Sequence, residues 1–337
     1  MIVQQDIAAA VEALAPVWPK LDGARIFMTG GTGFIGRWML EMLAAAPVQT
    51  EVLLLSRNPV RFAQSAPHLA ARFSLIQGDT GAFHKPKGDF SYVIHGATDA
   101  SAALTANDPR RMFDTILNGT RRTLDFALES GAGRYLFMSS GAIYGSQPPD
   151  ITHIPEDWMG GPDLCDPKSS YAEGKRAAET LCAIYRHQFG LDTVSARIFA
   201  LLGPMLPLDT HFAAGNFIRD AMEGRRIRVE SSGQAVRSYL YAADLAAWLW
   251  TMLADAPAGA AYNCGSEEAV SIADLARLTA DVLGGPGVDV LGKPDPGWNP
   301  GRYVPSTAAI RRDLGLRPTV PLAEAIRRTA LANGWTK

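Results

Sequence analysis

The chain has no C-x-x-C pair, no block of like charge and no long unbroken apolar run, and each absence removes a class of protein. Its three cysteines, Cys165, Cys182 and Cys264, cannot all pair with one another and lack zinc-ligand spacing. That argues against a disulfide framework and a metal centre, and for three buried thiols in a reducing, cytoplasmic setting. Lys and Arg number 32 against 34 Asp and Glu, a net charge of −2, which offers no field for nucleic acid or an anionic membrane. The most membrane-like window, 239–252, is interrupted by Asp244 and is shorter than the ~18–20 apolar residues a span requires. No Lys or Arg precedes Lys20, so the charged start of a signal peptide is missing. What is present is the composition of a soluble folded protein: 337 residues, 47% apolar and 20% charged, a length that suits about two domain-sized units.

Residues 5–15 carry Ile7, Val11 and Leu14 at helical spacing before Pro16 and Pro19. This predicts a leading helix within 1–22 that packs on the body. From residue 24 the pattern changes to short β-rich runs at 24–29, 51–56, 73–77, 92–96, 134–139 and 193–198. Several are apolar on successive residues, as strands covered on both faces must be. Helical stretches at 35–45, 109–130 and 171–189 alternate with them. Strand–helix alternation of this kind predicts an α/β fold, a doubly wound parallel sheet with right-handed crossovers. After Gly203-Pro204 the rhythm breaks: 205–240 mixes one helix (212–223) with short strands, and 265–337 reads as helical with Pro/Gly-rich connections. The expected division is a dinucleotide-binding domain at 23–203 plus 241–264, with a smaller mixed C-terminal substrate lobe at 204–240 plus 265–337.

The first strand runs into TGGTGFIG (29–36), and a helix follows. Gly30, Gly33 and Gly36 are spaced for a tight turn, close approach of backbone to a pyrophosphate, and packing of helix on strand, the Rossmann-type signature. Phe34 and Ile35 then sit in the first helical turn, where unpaired N–H groups and the helix dipole favour an anion. At the end of the second strand an acidic residue would select NAD and an arginine NADP. The chain reads Ser56-Arg57 there, without a carboxylate. A guanidinium can grip a 2′-phosphate and Ser56 can add a donor, so the expected cofactor is NADP in preference to NAD. The bland reading of Arg57 is a solvated side chain beside a loop. Asp79, with Thr80 beside it, follows the third strand, and its carboxylate either accepts the adenine amino group or caps a turn.

Tyr171 and Lys175 stand four residues apart on a helix, hence on one face. A phenol with pKa near 10 is a poor acid or base at neutral pH. A neighbouring ammonium and an oxidised nicotinamide would both lower it. Lys175 would also hold the nicotinamide ribose, and Ser140, leaving the fifth strand, would hold the substrate oxygen. Y-x-x-x-K alone is weak; its weight comes from following the glycine loop and Ser140 in that order.

With these residues in place the chain resembles the extended short-chain dehydrogenase/reductase family, the NAD(P)-dependent nucleotide-sugar epimerases, dehydratases and reductases. The resemblance runs from residue 24 to the C-terminus, through GDT (78–80), NGT (118–120), MSSGAIYG (138–145), DPKSSYAEGKRAAE (166–179), RIFALLGP (197–204), RSYLYAADLA (237–246), YNCGS (262–266) and GRYVPST (301–307). It implies Ser140, Tyr171 and Lys175 as catalytic residues. It also implies Arg237 and Arg302 as holders of a nucleotide diphosphate, and a homodimer formed through helices near 109–130 and 171–189. Guanidinium forks suit phosphate oxygens.

Departures from the family pattern narrow the reaction. The Asp-Glu pair that resemblance to the 4,6-dehydratases calls for is Gly141-Ala142 here, and neither side chain moves a proton. The decarboxylating members' glutamate is likewise replaced by Ala142. Ala200 stands for a frequent asparagine of the 4-epimerases, Ile116 for the asparagine of N-x-x-G-T, and Ser238 for an aspartate. His95, ending a strand, reads first as a core imidazole, while His211 is a candidate diphosphate contact and the tryptophans read as packing residues.

The expected function is hydride transfer at C4 of a nucleotide-activated sugar, as a 4-epimerase or a 4-ketoreductase and not as a 4,6-dehydratase. The alternatives are reduction of a non-sugar carbonyl, which two arginines facing an apolar pocket would oppose, and a non-catalytic dinucleotide-binding protein.

Overall fold

The computed structural model describes residues 2–98, 102–209, 213–295 and 299–336. In chain order the strands are β1 Arg25–Thr29, β2 Glu51–Ser56, β3 Ser74–Gln77, β4 Tyr92–His95, β5 Arg134–Ser140, β6 Asp192–Ile198, β7 Leu201–Leu202, β8 Ile227–Val229, β9 Val236–Arg237, β10 Leu240–Tyr241, β11 Ala261–Cys264, β12 Val270–Ser271, β13 Val288–Val290 and β14 Arg302–Tyr303. The helices are α1 Ile2–Ala13, α2 Phe34–Ala45, α3 Pro59–Ser65, α4 Pro67–Arg72, α5 Ala102–Asn107, α6 Pro109–Glu129, α7 Ser170–Phe189, α8 Ala213–Met222, α9 Ala242–Asp255, α10 Ile272–Leu283, α11 Ala308–Leu314 and α12 Leu322–Ala332.

Seven strands build one parallel sheet in the order β11-β6-β5-β4-β1-β2-β3. Reading outward from β1, the strand order reverses between β1 and β4, and in such sheets the crevice at that switch point receives the ligand. The strands form where apolar residues are consecutive: β2 buries Val52 to Ser56 without a break. Helices cover both faces. On one side α6 and α7 pack over an aromatic cluster in which Phe27 lies 4.6 Å from Phe126 and 5.3 Å from Phe83, ring centre to ring centre. On the other side α1, α2 and α9 join the C-terminal helices in one continuous core that holds Trp18, Trp38, Trp248 and Trp250. The doubly wound α/β architecture is therefore as the sequence predicts.

The edges of the elements have local causes. Pro109 opens α6 while the Asp108 carboxylate accepts from Arg111 N–H, and α7 stops at Gly190 in the left-handed conformation, φ 73°. The leading helix spans Ile2–Ala13, beginning before residue 5 and ending short of Pro16. Leu14 and Val17 are buried in the turn that follows it, and Trp18 Nε1 closes that turn on Val11 O at 2.9 Å. The segment 265–337 is less purely helical than expected. It supplies β12, β13 and β14, which pair with β8 and β9 from the region before α9. The helix predicted at 212–223 is α8, and Phe212 lies outside the described residues.

Candidate active site

The glycine loop folds back against the end of β4. Gly30 has φ +77°, and a Cβ there would lie 2.5 Å from Gly96 C. A Cβ on Gly36 would fall 2.3 Å from Gly30 O, so strand, loop and helix meet with no room for side chains. Gly33 caps α2 in extended conformation and is exposed, and among the described residues no side-chain hydrogen bond from the cap occupies the first turn that Phe34 and Ile35 begin. Bare backbone and free helix N–H groups fit the pyrophosphate of a dinucleotide.

The cofactor-selecting positions lie along the same edge. Ser56 is buried and its Oγ accepts from Asn58 N–H at 3.2 Å, while Arg57 beside it is exposed. Asp79 follows its structural alternative with one oxygen, Oδ1, which accepts from Gly81 N–H at 2.9 Å. Thr80 is buried against α6, where a Cβ on Gly119 would sit 2.8 Å from Thr80 Oγ1. That close approach is the reason the NGT segment carries a glycine.

Ser140 ends β5, and its Oγ accepts from Ala142 N–H at 3.2 Å, capping the 3-10 turn Gly141–Tyr144. Tyr171 stands in the first turn of α7 with its side chain beside Ser140. One turn on, Lys175 is buried, with Nζ donating to Met138 O at 2.6 Å and Thr98 Oγ1 at 3.0 Å. The ammonium also lies 4.7 Å from the centre of the Phe137 ring. The three residues expected from the sequence thus come together at the carboxyl ends of β4 and β5.

Their electrostatics differ from the sequence expectation. Burial raises the Tyr171 phenol above its ordinary value, only partly offset by the Ser140 side chain. Burial likewise lowers Lys175 from 10.5 to about 7, with Glu179 and then Cys182 acting the other way. A desolvated ammonium held by two neutral oxygens is itself stressed, so the side chains alone do not acidify the phenol.

The C-terminal lobe contributes a residue the sequence did not single out. Tyr303 packs its ring on Phe199 with centres 4.5 Å apart, and its hydroxyl donates to Ile198 O at 3.4 Å, beside Ser140. A Cβ on Gly141 would lie 2.6 Å from the Phe199 ring and 2.7 Å from the Tyr303 hydroxyl. Burial raises the Tyr303 phenol, and Arg237 opposes that shift. The GRYVPST segment was the available signal, but nothing in it distinguishes Tyr303.

The two arginines are placed differently. In the β9–β14 pairing Tyr303 lies opposite Arg237, and Arg302 opposite Val236. Alternation along a strand therefore sends Arg237 to the Tyr303 side of this small sheet and Arg302 to the other. Arg302 Nε donates to Thr152 O at 3.1 Å, and Arg237 Nη1 to Val236 O at 2.8 Å. His95 is a core residue as expected: buried, 2.7 Å from Thr29 Oγ1 through Nδ1, and held neutral by burial, its pKa lowered to about 3. His211 lies outside the described residues. All three cysteines are free; Cys182 and Cys264 are buried as expected, but Cys165 is exposed, because it lies in the loop before α7 and not on a packed element. Among the described residues no group of metal-ligating side chains occurs and no helix is long and apolar enough to cross a membrane.

A glycine-loop parallel sheet with serine, tyrosine and lysine at its carboxyl edge defines an extended short-chain dehydrogenase/reductase. The chain belongs to the NAD dependent epimerase/dehydratase family, whose sequence profile matches residues 26–265. It is 29% identical over 311 residues to UDP-glucuronic acid decarboxylase 1 of Xenopus tropicalis, covering 91% of this chain and 72% of that one. It is equally 29% identical over 307 residues to UDP-glucuronic acid decarboxylase 5 of Arabidopsis thaliana, covering 90% and 87%. Among solved structures it resembles the UDP-glucose 4-epimerase of Thermus thermophilus in complex with NAD, at 26% identity and TM-score 0.75, covering 93% and 100%. It also resembles the fold of the UDP-N-acetylglucosamine 4-epimerase of Methanobrevibacter ruminantium, at TM-score 0.80 and 20% identity, covering 93% and 98%.

Proposed function

We propose that the protein carries out hydride transfer at C4 of a nucleotide-activated sugar, as a 4-epimerase or a 4-ketoreductase and not as a 4,6-dehydratase. The observation that carries this reading is the wall beside Ser140. Where a dehydratase would need a carboxylate at 141, Phe199 and Tyr303 leave no space even for a methyl group. With Ala142 next to it, the site holds a proton donor for one oxygen and no acid–base pair for eliminating water.

When bound, the nicotinamide supplies or accepts the hydride. Ser140 holds the C4 oxygen, and the Tyr171 hydroxyl exchanges its proton. Lys175, through an N–H donor, orients the nicotinamide ribose and favours the phenolate. Arg237, on the Tyr303 side, and Arg302 serve the diphosphate from the substrate lobe. The exposed Arg57 at the end of β2 supports NADP over NAD. Exposed Ile184 and Phe189 on α7 support a homodimer through the α6/α7 face.

The test is incubation with a panel of nucleotide-linked hexoses and nucleotide-linked 4-keto sugars, with and without added cofactor, followed by mass spectrometry and NMR of the products. A C4 epimer formed without added cofactor identifies an epimerase, and one NADPH consumed per product a ketoreductase. A C4 ketone beside a C5 carboxylate is a β-keto acid that can lose CO2, the reaction the decarboxylase relatives are named for. Loss of CO2, loss of water, or no conversion of any nucleotide sugar would overturn the proposal.

A further inference from the structure

The mechanism leaves unexplained how a buried ammonium is kept in place without a carboxylate. Glu179, one turn after Lys175 on α7, is already engaged by Arg197 of β6, with Nη2 at 2.9 Å and Nε at 3.1 Å from Oε2. Lys175 Nζ donates instead to neutral oxygens: the Met138 carbonyl and the Thr98 hydroxyl, the latter at 3.0 Å. The carbonyl is fixed by the β5 ladder, whereas Thr98 sits just beyond β4 on a loop and needs its own anchor.

That anchor is visible. Thr29, the last residue of β1, takes Gly96 N–H on its carbonyl at 3.1 Å and Ala97 N–H on its Oγ1 at 3.1 Å. The same Oγ1 lies 2.7 Å from His95 Nδ1. The strand end before the glycine loop and the residue before Thr98 are thereby tied together. Because His95 is neutral through the working pH range, the tie does not titrate.

We propose that Thr98 is a positioning residue for Lys175, its hydroxyl oxygen holding the ammonium in the crevice while the Thr29–His95 pair fixes Thr98. This rests on the reading of Lys175 given above. The titratable groups around Lys175 among the described residues are Tyr171, Glu179 and Cys182 on its own helix, His95 on β4 and Arg197 on β6. Burial keeps the Cys182 thiol and the Tyr171 phenol neutral, and Arg197 occupies Glu179. Among the described residues, deleting the Thr98 oxygen therefore removes one of two acceptors of the ammonium, and Glu179 is already held by Arg197. A hydrogen bond to a charged group is strong enough to move the lysine titration down by about one pH unit.

The chain has seven lysines, so 13Cε-lysine labelling of the full-length protein gives a spectrum simple enough to follow Lys175 directly, with Lys175→Met assigning the signal. Thr98→Val, an isostere without the hydroxyl, should lower the Lys175 midpoint by about one unit, and Thr98→Ser should restore it. A folded Thr98→Val protein whose Lys175 midpoint equals that of the unmodified protein overturns the inference. Dinucleotide affinity measured against pH separates the two layers. If the midpoint moves but affinity never depends on Lys175, the Thr98 inference stands and the ribose role of Lys175 fails.

Discussion

The central sheet and the C-terminal lobe both touch Ser140, but they are built differently. The sheet is parallel, with strands of four to seven residues and helices on both faces; Ser140 ends one of its strands, and Tyr171 and Lys175 stand on α7, with Lys175 bonded to the β5 carbonyl of Met138. The lobe is assembled from strands of two or three residues drawn from 227–241, 270–271, 288–290 and 302–303. It brings Tyr303 and Arg237 to the same place. On the proposed function, the regular part holds the groups that must keep one geometry for proton transfer, and the patchwork part those that would face the substrate. Substitutions in the first should act on turnover, and in the second on recognition.

The largest expected effect is on turnover. Tyr171→Phe should lower kcat by roughly 10²–10⁴-fold while dinucleotide affinity, followed by fluorescence titration, stays unchanged. Equal losses in both would mean that Tyr171 only supports the fold.

Next, Lys175→Met should inactivate the enzyme and yet stabilise the free protein at pH 7. With the folded pKa near 7 and the ordinary value 10.5, the unfolded chain binds the extra proton between those limits. Stability of the unmodified protein should thus rise with pH across that window, and the methionine variant should lose that rise in thermal melts. A melting temperature that falls on substitution would sink this account.

Gly141→Asp should cost about 1–3 kcal/mol, because its Cβ overlaps the Phe199 ring and the Tyr303 hydroxyl. Even combined with Ala142→Glu it should yield no 4-keto-6-deoxy product by mass spectrometry. Appearance of that product would show that the lobe wall does not decide the reaction.

On the lobe side, Arg237→Ala should raise KM for the nucleotide sugar by about 10–100-fold, against a few-fold for Arg302→Ala. Comparable losses would show that both guanidinium groups reach the diphosphate despite their opposite strand faces. The smallest effect belongs to exposed Arg57. Its replacement by Ala should change the NADP-to-NAD preference by no more than about tenfold in steady-state kinetics.

The strands of the sheet were legible because burial on both faces leaves consecutive apolar residues, and the glycine loop because its geometry admits no side chains at Gly30 and Gly36. Two- and three-residue strands carry no periodicity, so β12 to β14 were read as parts of a helical region. The raised Tyr171 phenol is a related case. Spacing places two groups on one helix face, but burial sets their charge, and burial depends on what packs above them.

By itself the sequence determined the parallel sheet, the dinucleotide loop and the order of serine, tyrosine and lysine, since these follow from local periodicity and fixed spacing. Only the tertiary structure decided that Tyr303 meets Ser140 across 163 residues of chain, that Thr98 holds Lys175, and that Arg237 and Arg302 leave opposite sides of one small sheet. Those are contacts between segments far apart in the chain, and no local pattern of residues encodes which of them will touch.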